Sequence, residues 1–98
     1  MNYDFNIEEA FKIWGYGGEK YNGTNDNNVI EFYNSEGINV LKNLKEIRNE
    51  FYKSEAYKYP TVTEQFNNSI KDFLELHPDF PSKKVLKWMA ERYCYDWK

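Results

Sequence analysis

From Ile38 to about Lys58 the chain repeats apolar residues every three or four positions. Val40, Leu41, Leu44, Ile47 and Phe51 recur among Lys42, Lys45, Glu46, Arg48 and Glu50. That spacing follows the 3.6-residue turn of an α-helix and lines the apolar side chains along one stripe, where a strand would alternate every second residue. Pro60 marks the expected stop. Three further segments carry the same signature. Asn6 with Glu9 three residues on reads as a capping box; Ile7, Ala10, Phe11 and Trp14 follow at helical spacing, and Gly15 closes the segment, which predicts a helix over 6–14. Thr61 or Thr63 caps a helix whose stripe is Val62, Phe66, Ile70, Phe73 and Leu74. His77-Pro78-Asp79-Phe80-Pro81 is a stiff connector, after which Ser82 caps a last helix with Val85, Leu86, Met89, Ala90, Tyr93 and Trp97 on a broad apolar face. The expected fold is therefore mainly α, a compact bundle of about four helices forming one domain over 1–98.

The stretch between the first two helices has no such period. Residues 15–28 are dense in glycine and asparagine, and Asn22-Gly23 suits a type I′ turn. Val29-Ile30-Glu31-Phe32-Tyr33 has strand-like composition, yet Asp26 can cap a helix, Val29, Phe32 and Tyr33 share a helical face, and Gly37 can close it. A short β-hairpin or an extra short helix within residues 19–34 are both open, the helix being slightly favoured.

Length and composition narrow the functional class. Ninety-eight residues suffice for one modest core. Into it the chain must fit three Trp, nine Tyr and seven Phe, more aromatic residues than Ile, Leu and Val together. Some of these rings are expected at the surface, where Tyr and Trp are the residue types enriched in protein interfaces. The formal net charge is −3, divided into about −5 over residues 1–41 and +2 over residues 42–98, which suggests an acidic docking face or neutralisation of one half by the other. Cys94 is the single cysteine, so no intrachain disulfide can form. With an acidic N-terminus unlike a signal peptide and no apolar run long enough to span a bilayer, a soluble, cytoplasmic protein is expected. The abundance of Asn, Lys, Tyr and Ile beside only two Arg reflects AT-rich codons and suits a low-GC source such as many bacteria, phages and plasmids.

Reactive constellations are sparse. Gly15-x-Gly17-Gly18 lacks the third glycine and the strand-before-helix setting of a dinucleotide site, and no Gly-Lys-Ser/Thr follows. One Cys and one His, Cys94 and His77, provide no zinc framework; a nucleophilic pair of the two is outweighed by a buried Cys and a helix-terminal His. No catalytic residue, metal or cofactor is expected. Two features stand out instead. Trp14, Tyr16 and Tyr21 alternate with glycines, which places aromatic side chains on an adaptable backbone; folding back over the core is the competing expectation. In the last helix, Lys83 and Lys84 occupy the first turn, against the helix dipole, and Lys87, Trp88, Arg92 and Tyr95 extend a basic, aromatic face away from the main stripe. Tyr16, Tyr21, Lys83, Lys84, Lys87, Trp88, Arg92 and Tyr95 are thus the candidate contacts to a protein partner. The expected class is a non-catalytic protein-binding module. Size and composition suit a phage- or mobile-element-encoded inhibitor of a host enzyme, of the anti-CRISPR or anti-defence type, whose partner handles nucleic acid. A nucleic-acid-binding module, with residues 29–48 as a helix-turn-helix presenting Lys42, Lys45 and Arg48, and an immunity protein that neutralises a toxin are the alternatives; net acidity argues against direct nucleic-acid binding.

Overall fold

The computed structural model describes residues 3–17, 23–55 and 58–95, with side chains through Tyr93. Its elements are α1 (Ile7–Trp14), α2 (Asp26–Tyr33), a 3₁₀ turn (Asn34–Glu36), α3 (Gly37–Phe51), α4 (Val62–Leu76) and α5 (Lys83–Tyr95). The described residues hold no strand, and the architecture is a mainly α, compact bundle. α2 packs chiefly on α3 and α4 on α5, while α1 touches α2, α3 and α5. No helix among the described residues is long and apolar enough to cross a membrane.

Local chemistry starts most of these helices where the sequence places them. The Asn6 side chain accepts from the Glu9 N–H at 3.0 Å, Thr61 from Glu64 at 3.1 Å and Ser82 from Val85 at 3.2 Å. Each bond satisfies an N–H that the first helical turn leaves without a backbone partner. The ambiguous stretch resolves as the extra short helix, α2; residues 18–22, on which a hairpin at Asn22-Gly23 depends, lie outside the described residues. Asn25 rather than Asp26 caps α2, accepting from the Asn28 N–H at 3.3 Å. Asp26 is otherwise engaged: one carboxylate oxygen accepts from the Trp14 indole N–H at 2.9 Å and the other pairs with Lys45 at 3.0 Å.

The third helix is shorter than the sequence suggests. It ends at Phe51, not near Lys58, well before Pro60. The Tyr52 N–H still reaches Arg48, but Lys53 and Ser54 bond back only three residues, to Glu50 and Phe51. Tertiary bonds then take over Ser54: its carbonyl accepts from the Tyr93 hydroxyl at 2.8 Å, and its own hydroxyl donates to Asp72 at 2.9 Å. α5 and α4 thus capture the chain before a further turn of α3 can form.

One core runs through the bundle. Ala10, Phe11 and Trp14 of α1, Val29 of α2, Leu44, Ile47 and Phe51 of α3, and Val85, Leu86, Met89 and Ala90 of α5 are wholly enclosed. α4 contributes less. Of its stripe only Phe73 is buried, while Val62, Phe66, Ile70 and Leu74 are half-buried against the core. Phe51, Phe73, Phe80 and Tyr93 form a chain of tilted and edge-to-face rings with centroids 5.0–6.2 Å apart, the geometry aromatic quadrupoles favour.

Candidate interaction surface on the first and last helices

The loop aromatic Tyr16 is not a surface anchor. It is only 3 % exposed, and the reason lies in how α1 ends. Gly15 adopts φ +133°; its N–H bonds to the Lys12 carbonyl, and the Tyr16 N–H reaches back five residues to Phe11 at 2.9 Å. This bond pair is a Schellman closure, which brings the residue after the glycine onto the one five positions earlier. The Tyr16 ring accordingly meets Phe11 edge-on at 5.3 Å and lies 5.7 Å from Trp14. Tyr21 lies outside the described residues, as does the Tyr95 side chain.

The last-helix cluster does assemble at the surface, and α1 completes it. Trp88, off the main stripe of α5, is partly buried against the core. Gly17 allows this: with φ +81°, it brings backbone so close to the indole that a Cβ there would lie 2.7 Å from the ring. Two ammonium groups flank the same ring, Lys84 Nζ at 5.9 Å from its centroid and Lys12 Nζ at 6.0 Å, within reach of the cation–π attraction. Lys84 also pairs with Glu8 Oε1 on α1 at 3.2 Å. Lys83 and Lys87 are exposed, and among the described residues neither forms an ion pair. Arg92, a turn beyond Trp88, is partly buried. Lys12, Lys84, Lys87 and Trp88 therefore make a basic patch with an aromatic centre, laid across α1 and α5. Lys83, Lys84, Lys87 and Trp88 were legible in the sequence as cations and a ring off the apolar stripe. Lys12, Glu8 and Gly17 were not, since only packing brings α1 and its following loop against α5.

The cations proposed for a helix-turn-helix have a different fate. α2, the 3₁₀ turn and α3 do form a helical corner, with Gly37 so close to Ile30 that a Cβ would lie 2.5 Å from its backbone. Lys45, however, pairs with Asp26, and the Arg48 guanidinium stacks 4.7 Å from the centroid of the buried Trp14. The Trp14 hydrogen bond and then that of Lys45 hold the Asp26 carboxyl below the usual carboxylate range. This network ties α1, α2 and α3 together, leaving Lys42 as the exposed member of the trio.

His77 is also occupied in the fold. Its ring lies 4.8 Å from Phe73, and Nε2 sits 3.3 Å from Glu50 Oε2, linking the end of α4 to α3. Hydrogen bonds from Lys53 and then His77 lower the Glu50 pKa. An open cleft of about 690 Å³ lies here, lined by Tyr3, Glu46, Asn49, Glu50, Lys53, His77 and Asp79. Among the described residues, no three His, Cys, Asp or Glu side chains converge as metal ligands. Compared with family models, curated proteins and solved structures, the chain matches none of them.

Proposed function

We propose that this chain is a non-catalytic protein-binding module that docks the α1/α5 patch onto an acidic surface of its partner. The observation that carries the reading is Trp88, held half-buried by Gly17 and flanked by Lys12 and Lys84, with Lys87 exposed one turn from Lys84. A ring fixed at a surface buries area at little entropic cost, and cations around it steer association with an opposite charge. Engagement of Lys45 and Arg48 within the fold weakens the nucleic-acid alternative, because a recognition helix spends such cations on phosphates. Within the binding class, small size and AT-rich codon usage suit an inhibitor of a host nucleic-acid-handling enzyme, of the anti-CRISPR or anti-defence kind, carried by a phage or mobile element and acting in the cytoplasm.

The test is capture of the partner from host lysate followed by calorimetry with the purified pair. Trp88→Ala should weaken binding by roughly thirtyfold, the size of an interface anchor worth about 2 kcal/mol. Lys84→Glu with Lys87→Glu should slow association and reduce its salt dependence. Undiminished affinity in both folded variants would remove the surface, and turnover of a substrate lost in His77→Ala would replace the reading with an enzyme.

A further inference from the structure

Resting on that reading, we propose that the α1/α5 patch takes an acidic peptide segment of the partner, and that Glu8 is an internal stand-in whose place at Lys84 a partner carboxylate takes. The molecule itself displays the chemistry. Lys84 Nζ already holds a carboxylate oxygen at 3.2 Å, while the same ammonium lies 5.9 Å from the Trp88 centroid. The side chains of Lys84 and Glu8 are 61 % and 40 % exposed. A pair so open to water contributes little and is readily exchanged for another carboxylate. Displacing Glu8 leaves the site basic: Lys12, one turn along α1 from Glu8, lies 6.0 Å from the same ring, and Lys87 follows one turn along α5. An acidic segment can therefore exchange its first carboxylate with Glu8 and place a second near Lys12 or Lys87, with an apolar side chain against the exposed part of the indole.

The geometry favours a peptide over a nucleic-acid strand. Sequence-tolerant single-strand binding relies on an open aromatic face on which a base can stack. Here Gly17 backbone lies against the Trp88 ring and two ammonium groups flank it, so the indole is not a free platform. Glu8 also places a negative charge at the patch, which an exchanging carboxylate replaces one for one.

The experiment uses the full chain and three probes: a blocked peptide rich in Glu and Asp, its Gln and Asn counterpart, and an oligothymidylate. Calorimetry measures affinity, and ¹H–¹⁵N spectra report the Trp88 indole and the Lys84 amide. The acidic peptide should bind and move both resonances, the neutral peptide should not, and the oligothymidylate should bind more weakly. Glu8→Gln should tighten the acidic peptide about twofold to fivefold, the worth of an exposed ion pair removed from the free state. Lys84→Glu should weaken it at least tenfold, and Lys84→Arg should retain it. If Glu8→Gln lowers the melting temperature but leaves affinity unchanged, Glu8 is only a tie between helices and the proposal fails. Tighter binding of the oligothymidylate at Trp88 overturns it in favour of a nucleic-acid ligand. An acidic peptide that moves neither resonance also overturns it, yet leaves the protein-binding reading to be judged on the captured partner with Trp88→Ala, so the two failures are distinct.

Discussion

Trp14 and Trp88 each have a cation beside the ring, Arg48 of α3 at Trp14 and both Lys12 of α1 and Lys84 of α5 at Trp88, but one ring is at the centre of the molecule and the other at its edge. Around Trp14 every group is committed. The ring is wholly enclosed, its N–H is satisfied by Asp26, Asp26 is paired with Lys45, and Arg48 covers the ring. Around Trp88 the ring is half-buried, and the ion pair beside it, Lys84 with Glu8, is solvent-exposed. A cation beside an aromatic ring is therefore not in itself a functional sign. What separates a strut from a docking surface is whether burial and hydrogen bonding have already used the groups.

The contrast can be broken most directly by removing each ring. Trp14→Ala should cost about 3–5 kcal/mol, the range for emptying a core aromatic site, and can unfold a domain of this size. Trp88→Ala should cost under about 2 kcal/mol, because part of its surface already faces water. Urea denaturation of both variants decides; equal losses would place Trp88 in the core and remove it as an anchor. The polar partners should diverge next. Asp26→Ala leaves the indole N–H of Trp14 without its acceptor and should cost about 1–3 kcal/mol, whereas Lys84→Ala, which loses only an exposed pair, should stay within about 0.5 kcal/mol. Gly17→Ala sharpens the picture at the edge. A side chain at φ +81° is strained and would press on the Trp88 ring, so a loss of about 1–2 kcal/mol should come with a displaced Trp88 indole resonance and an unmoved Trp14 one.

The smallest effect is on acid stability. The Asp26 and Glu50 pKa values are both lowered in the fold. A carboxylate whose folded pKa lies below its unfolded value contributes stability that is fully present above the unfolded pKa, about 4, and is lost as pH falls through the folded one. Melting temperature should therefore fall below about pH 4, and less steeply in Asp26→Asn than in the parent. Screening by water keeps the difference modest, since the Asp26 side chain is 43 % exposed. An unchanged slope would mean that the Trp14–Asp26 bond does not distinguish the charged carboxylate from the neutral one.

Most of the helical plan was legible because its signals are short-range. The caps at Asn6 and Ser82, the choice of Thr61 or Thr63 for α4, and the buried stripes of α1, α3 and α5 follow from side-chain spacing along one helix. The misreadings have equally definite causes. For Tyr16, which composition leaves open between surface and core, the deciding cue is local: a glycine after the last turn, with aromatic residues at the two positions that a Schellman closure brings together. The periodicity carries α3 on towards Lys58, since nothing local shows that Tyr93 and Asp72 bind Ser54. The stripe of α4 reads as well as that of α5, yet most of it is only half-buried, since periodicity reports which face turns inward and not how much protein covers it. At the surface patch, the lysines and Trp88 of α5 stood out, while their neighbours on α1 did not.

The sequence by itself determined the class of the fold and the capped starts of α1 and α5, and narrowed that of α4 to Thr61 or Thr63, because capping and a 3.6-residue stripe act over a few neighbouring residues. Only the tertiary structure decided that Trp14 would be the locked ring and Trp88 the accessible one, that Lys45 and Arg48 would be consumed, and that Lys12 would join Lys84. Burial depth and ion pairing depend on which helices meet. That is set by the packing of the whole core, in which residues far apart in the chain must fit together at once.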